Sequence, residues 1–124
     1  MADRPSGSGV ELVERMFAAG KSLDDYAAFF ADDALYRFAN QPPIRGRAAI
    51  REAAANFRRR VRGVSHTIHG MWESQNTVVC EMDLTYTRLD GKEVTVPCCD
   101  VFRVAGDKIQ EMRIFIDATP VLAA

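Results

Sequence analysis

Amphipathic helices fill the first half of this sequence and long strand-forming runs the second, and that order leaves few folds open. From Ser65 onward four segments, His66 to Trp72, Thr77 to Arg88, Lys92 to Val104 and Lys108 to Asp117, are rich in Val, Ile, Thr and aromatic residues. Glu73-Ser74-Gln75-Asn76, Asp90-Gly91 and Gly106-Asp107 punctuate them, and Asp-Gly between two such runs is a strong hairpin signal. Ahead of them, Leu12, Val13, Met16, Phe17 and Ala19 recur at helical spacing and stop at Gly20, which predicts a helix over Val10 to Ala19. Ser22 is a good N-cap for a short second helix whose apolar stripe is Leu23, Tyr26, Ala27 and Phe30. Ala34 to Phe38 reads as a strand and Asn40-Gln41-Pro42-Pro43 as a loop. After Gly46, the apolar residues Ile50, Ala53, Ala54, Phe57 and Val61 predict a third helix. The expectation is an α+β fold, three N-terminal helices packed on one antiparallel sheet.

At 124 residues the chain is the size of one domain, expected over residues 9–124 behind a polar tail of residues 1–8. With 48% hydrophobic and 27% charged residues it has the composition of a soluble globular protein, and no run approaches the length of a membrane span. A formal net charge of -1 offers no field to gather polyanions, so neither nucleic acid nor membrane is an expected partner. The one basic cluster, Arg58, Arg59, Arg60 and Arg62, suits the C-terminal end of a helix. Cys80, Cys98 and Cys99 match no zinc motif and no disulfide framework, which fits a reducing compartment; the expected location is cytoplasmic. No metal and no cofactor is expected.

A two-residue turn at Asp90-Gly91 would oppose Leu89 to Lys92, and opposed numbers would then sum to 181. In that register Glu81 faces Asp100 and Asp83 faces Cys98, on one face with Val79, Thr85, Val96 and Phe102. Cys80, Met82, Leu84 and Tyr86 share the reverse face and are too apolar to leave in water, so a homodimer is expected through them. The helices are expected over the carboxylate face, enclosing a pocket. One strand further out, His69 lies opposite Glu81 if Trp72 opposes Val78; a slip of one residue brings His66 in instead.

Phe30-Ala31-Asp32-Asp33-Ala34, the Pro42-Pro43 loop, Arg45-Gly46-Arg47-Ala48-Ala49-Ile50 and Asp100-Val101-Phe102-Arg103-Val104 stand in an order that resembles the nuclear transport factor two-like, or SnoaL-like, superfamily of ketosteroid isomerase and limonene epoxide hydrolase. The resemblance runs from about Val10 to Asp117 and implies a conical α+β fold, frequent dimers, and activities that include isomerases, polyketide cyclases, dehydratases and epoxide hydrolases beside binding modules. Against ketosteroid isomerase, Asp100 matches the protonated oxyanion donor, whereas Phe38 stands for the proton-shuttling carboxylate and Met16 for the oxyanion tyrosine. Against limonene epoxide hydrolase, Tyr36 matches the water-positioning tyrosine and Asp83 one catalytic aspartate, while Phe38, Glu81 and Ile114 replace its Asn, Arg and second Asp.

The candidate catalytic residues are therefore Asp100, Glu81, Asp83, His69 and Tyr36, with Met16, Phe38, Trp72, Val96, Cys98, Met112, Ile114 and Ile116 lining the substrate. Carboxylates crowded in an apolar pocket cannot all ionise, and a raised carboxyl beside an imidazole makes an acid/base pair. Two readings stand: a cofactor-independent acid/base enzyme for a small apolar polyketide, terpenoid or steroid-like metabolite, or a non-catalytic binding or dimerisation module.

Overall fold

The computed structural model describes residues 8–122. The tail expected over residues 1–8 lies outside them except for Ser8, which opens helix α1 (Ser8–Ala18). Leu12, Val13 and Met16 form the buried stripe of α1. Helix α2 (Leu23–Ala28) starts at the expected cap, where Ser22 Oγ accepts the Asp25 N–H at 3.2 Å. Strand β1 (Phe30–Phe38) and the two-residue β2 (Ile44–Arg45) come before α3 (Arg47–Arg58). The meander β3 (Val61–Ser74), β4 (Thr77–Arg88), β5 (Glu93–Ala105) and β6 (Lys108–Ile116) follows, and one turn of helix, α4 (Thr119–Leu122), ends the described chain.

The architecture is α+β, with two corrections to the sequence expectation. Four helices are described, only two of them long, and β1 and β2 separate α2 from α3. The sheet is also mixed rather than antiparallel. Its order is β2-β1-β6-β5-β4-β3, and β1 runs parallel to β6, with Tyr36 beside Met112 and Phe38 beside Ile114. Val61, expected at the end of α3, starts β3 instead: the helix stops at Arg59, and the β-branched Val61 and Val64 belong to the strand.

The hairpin between β4 and β5 has a three-residue loop, Leu89-Asp90-Gly91. Arg88 N–H donates to Lys92 O at 2.8 Å, Gly91 N–H donates to Arg88 O at 2.9 Å, and Gly91 sits at φ 89°, the left-handed conformation a bulged hairpin loop needs. Opposed residue numbers therefore sum to 180, as in Cys80 with Asp100 and Met82 with Cys98. That single residue turns every β4 side chain to the other face of the sheet.

The concave face, covered by α1, α2 and α3, carries Cys80, Met82, Leu84 and Tyr86 of β4 with Val96, Cys98, Asp100 and Phe102 of β5, all buried. The expected dimer surface is thus the protein core. Each of its larger apolar side chains contributes about 1.5 to 3 kcal/mol when fully removed from water.

The connection between β3 and β4 is tighter than expected. Gln75 and Asn76, at φ 50° and 65°, make a two-residue turn of the kind that matches strand twist, so Ser74 pairs with Thr77 and Trp72 with Val79. A bulge at His69, between the pairs Ile68 with Met82 and Gly70 with Glu81, then shifts the register back by one. Among the described residues no helix is long and apolar enough to cross a membrane.

Candidate active site

Among the described residues Asp100 is the one charged side chain in the core: it projects from the concave face of β5 and the residue is 4% exposed. Cys80 opposes it on β4 and Ile114 on β6, while Cys98 and Phe102 flank it along β5. The alternation that buries Val96, Cys98 and Phe102 drags the carboxyl in with them. Cys98 Sγ donates a hydrogen bond to its Oδ1 at 3.3 Å, and among the described residues no Lys or Arg pairs with it. Burial pushes its pKa up from 3.8 to about 7, with the Cys98 hydrogen bond opposing the rise.

Two aromatic groups stand around this carboxyl. Tyr26 of α2 packs its ring 5.2 Å from Phe30, which lies 6.4 Å from Tyr36, and the Tyr26 hydroxyl reaches Met112 Sδ at 3.7 Å. Phe57 of α3 bridges Phe38 and Tyr86, with ring centroids 5.4 and 5.6 Å away. Burial raises the pKa of all three phenols, and interaction with Asp100 raises each further. Burial and Asp100 likewise push Cys80 up to about 12 and raise Cys98. Near pH 7 these groups are neutral O–H and S–H donors, and Asp100 alone among them changes charge there. Such a set can hold or release one proton and can donate hydrogen bonds to an oxyanion.

The structure brings Asp100, Tyr36, Met16, Phe38, Val96, Cys98, Met112, Ile114 and Ile116 to the concave side, buried or packed against the core. Glu81, Asp83, His69 and Trp72 lie on the opposite, convex face, because of the three-residue loop and the bulge in β3. There His69 Nε2 meets Asp83 Oδ2 at 2.9 Å with both side chains nearly half exposed. Cys98 lies across from Met82, not Asp83. The alternative His66 does sit on the concave side, opposite Leu84 at the sheet edge, its ring 5.0 Å from Phe17, and burial of that ring lowers its pKa. Sequence reasoning missed Tyr26 and Tyr86. Tyr26 was legible only as part of the α2 stripe, and Tyr86 was assigned to the wrong face with the rest of β4.

The comparisons agree with this architecture. The SnoaL-like domain family matches residues 11–112. Among solved structures, a polyketide-cyclase-like SnoaL protein from Jannaschia sp. CCS1 superposes with TM-score 0.84 at 20% identity, covering 100% of this chain and 99% of its own. An epoxide hydrolase of the limonene type from M. tuberculosis gives 0.77 at 22%, covering 92% and 86%. A protein of ketosteroid isomerase-like fold from Catenulispora acidiphila DSM 44928, in complex with trimethylamine, gives 0.83 at 22%, covering 92% and 91%. No curated protein matches the chain. With residues 11–112, four-fifths of its length, matched by the family model, the chain belongs to the SnoaL-like domain family.

Proposed function

We propose that the protein is a cofactor-independent acid/base enzyme in which Asp100 exchanges a proton with a small, mostly apolar metabolite, a polyketide, terpenoid or steroid-like compound. The observation that carries this reading is a core carboxyl with a thiol as its hydrogen-bond partner and no cation paired with it among the described residues. Such a group is half protonated near neutral pH. Neutral Asp100 donates to a carbonyl or epoxide oxygen, Tyr36 and Tyr26 supply further O–H donors, and ionised Asp100 takes a proton back. Isomerisation, cyclisation, dehydration and epoxide opening all fit one such group. Carboxyl carbon shifts of Asp100 followed by NMR against pH, together with turnover of a panel of enolisable ketones and epoxides by the Asp100→Asn variant, test it. A midpoint near 7 and loss of turnover are expected; a midpoint near the usual value of about 4, or unchanged turnover, overturns it.

A non-catalytic binding module has one observation in its favour: the second carboxylate and the imidazole that would complete an acid/base pair are on the other face of the sheet. Ligand binding with no reaction in that panel would select it.

Self-association belongs to the convex face in this proposal. Trp72 and Phe115 are 56% and 54% exposed there. Trp72, Val79, Val101, Arg113 and Arg37 form one row across five strands. A two-fold axis parallel to the strands over β5 places Trp72 of one copy above Arg37 of the other, a favourable cation–π pairing, and brings Glu81 close to Arg113.

A further inference from the structure

The sheet ends differently at its two edges. In the order β2-β1-β6-β5-β4-β3 one edge is the two-residue β2, and the other is the 14-residue β3, the longest strand, which among the described residues pairs only with β4. Long edges are usually interrupted by charges, proline or bulges, because their free N–H and C=O groups template a further strand. β3 bulges at Arg62 and at His69, but between them residues 64–68 run in unbroken register with residues 82–86 and include no Lys, Arg, Asp, Glu or Pro. Val64, His66 and Ile68 oppose Tyr86, Leu84 and Met82 and so continue three rows of the core face. Val64 and Ile68 are nevertheless 45% and 41% exposed, because the rows stop there. Side chains of an added strand would lengthen the same rows and take both residues out of water.

The start of this edge is strongly basic. Arg58, Arg59, Arg60 and Arg62 stand close together in the chain, the last three exposed, and among the described residues none of them meets a carboxylate. Arg58 Nη1 donates to Lys21 O at 2.8 Å and Arg59 Nη1 to Asn56 Oδ1, both neutral acceptors. Elsewhere Arg47, Arg51, Arg88, Arg103 and Arg113 each hold an acidic partner. A second copy of β3 would bring no carboxylate to these arginines, because its single one, Glu73, accepts the N–H groups of Gly9 and Val10 at 3.2 Å. We propose that the β3 edge binds an extended peptide segment of another protein, added as an antiparallel strand along residues 64–68, with acidic residues that reach Arg60 and Arg62. The alternation of side chains sets the motif: two apolar residues four positions apart lie opposite Ile68 and Val64, and the antiparallel direction puts the acidic residues C-terminal to them. This edge is separate from Asp100 and does not depend on its chemistry.

The probe is a threonine-based peptide with two valines four positions apart and two glutamates after them. Its controls carry lysine for glutamate or serine for valine. Titrated into the full chain and followed by amide NMR, the glutamate peptide should give saturable shifts and slowed hydrogen exchange over residues 63–68. Arg60→Gln combined with Arg62→Gln should weaken it about threefold to tenfold and should not weaken the lysine peptide. Methylating one alternate set of the peptide's backbone nitrogens should abolish binding while methylating the other set preserves it, because a strand bonds its neighbour through every second residue. Equal affinity of the glutamate and lysine peptides overturns the assignment, as does equal affinity of the serine control. Shifts without slowed exchange, or no saturable shifts, overturn it too. Slowed exchange over residues 63–68 in the protein alone, deepening as its concentration rises, would give the edge to a second copy and likewise overturn it.

Discussion

The β4–β5 hairpin shows the same alternating chemistry on two faces with opposite outcomes. On the concave side Asp100 sits buried among Cys80, Cys98, Ile114 and the tyrosines, with no Lys or Arg paired to it among the described residues. On the convex side Asp83 sits in water with His69 Nε2 at 2.9 Å, and Thr85 bonds Thr95 across the ladder at 2.9 Å. Both aspartates lie mid-strand. Side-chain parity, set by one extra residue in a loop some distance away, decides which lies in water beside an imidazole and which is a buried carboxyl in a low-dielectric core.

The sharpest way to break this comparison is to place a charge on each face of β4. Met82→Lys puts an unpaired ammonium beside Cys98, its cross-strand partner in the buried core, and should cost about 4 kcal/mol or more, seen as loss of soluble folded protein or a collapse of the urea midpoint. Glu81→Lys, one residue away but exposed, should change stability by about 0.5 kcal/mol or less. Similar costs at both positions would mean that the faces are reversed.

The next largest effect is the pH dependence that Asp100 imposes. Its folded pKa lies above its unfolded value, so its contribution to stability is fully present below about 4 and is lost as pH rises through about 7. Moving from 3.8 to about 7 corresponds to roughly 4 kcal/mol between those limits, an upper figure because water entering the core would reduce it. Urea unfolding of the wild type should therefore weaken from pH 5 to pH 8 by a large part of that amount. Asp100→Asn should remove this component of the slope, and an unchanged slope would sink the assignment.

Changes to the convex apolar residues come third. Trp72→Ala together with Phe115→Ala should leave the fold intact and shift a dimer toward monomer by tenfold or more in dissociation constant, about 1.4 kcal/mol or more. Light scattering over a concentration series measures it. A wild type that is monomeric at every concentration would remove the dimer proposal.

How far the sequence disclosed all this follows from what is local. Helix periodicity and the Ser22 cap depend on residues a few positions apart, and they located α1 and α2 within about two residues. Asp90-Gly91 marked the hairpin, yet whether Leu89 joins the loop depends on the backbone angles of Gly91, which composition does not encode. The bulge at His69 leaves no residue signature. The parallel pairing of β1 with β6 joins segments some seventy residues apart with no turn to announce it. Asp100 was placed correctly because Val96, Cys98 and Phe102 alternate with it on its own strand, independently of any neighbour. Glu81, Asp83 and His69 were misplaced because their faces were inferred across turns.

The smallest expected effect tests that last contrast. His69 Nε2 and Asp83 Oδ2 meet at 2.9 Å on the convex face of β3 and β4, but their side chains are 47% and 42% exposed, and screening by water and salt leaves such pairs about 0 to 1 kcal/mol. His69→Ala should therefore lower stability by no more than about 1 kcal/mol at low salt, less in 1 M NaCl, and Asp83→Asn should do the same. The double variant should lose little beyond either single change, since each removes the same contact. Because the convex face has no route to Asp100 through the sheet, neither change should move the midpoint at which Asp100 titrates. A shift of that midpoint in His69→Ala, measured by the same carboxyl carbon resonance, would tie the two faces together electrostatically and break the separation on which the site assignment depends.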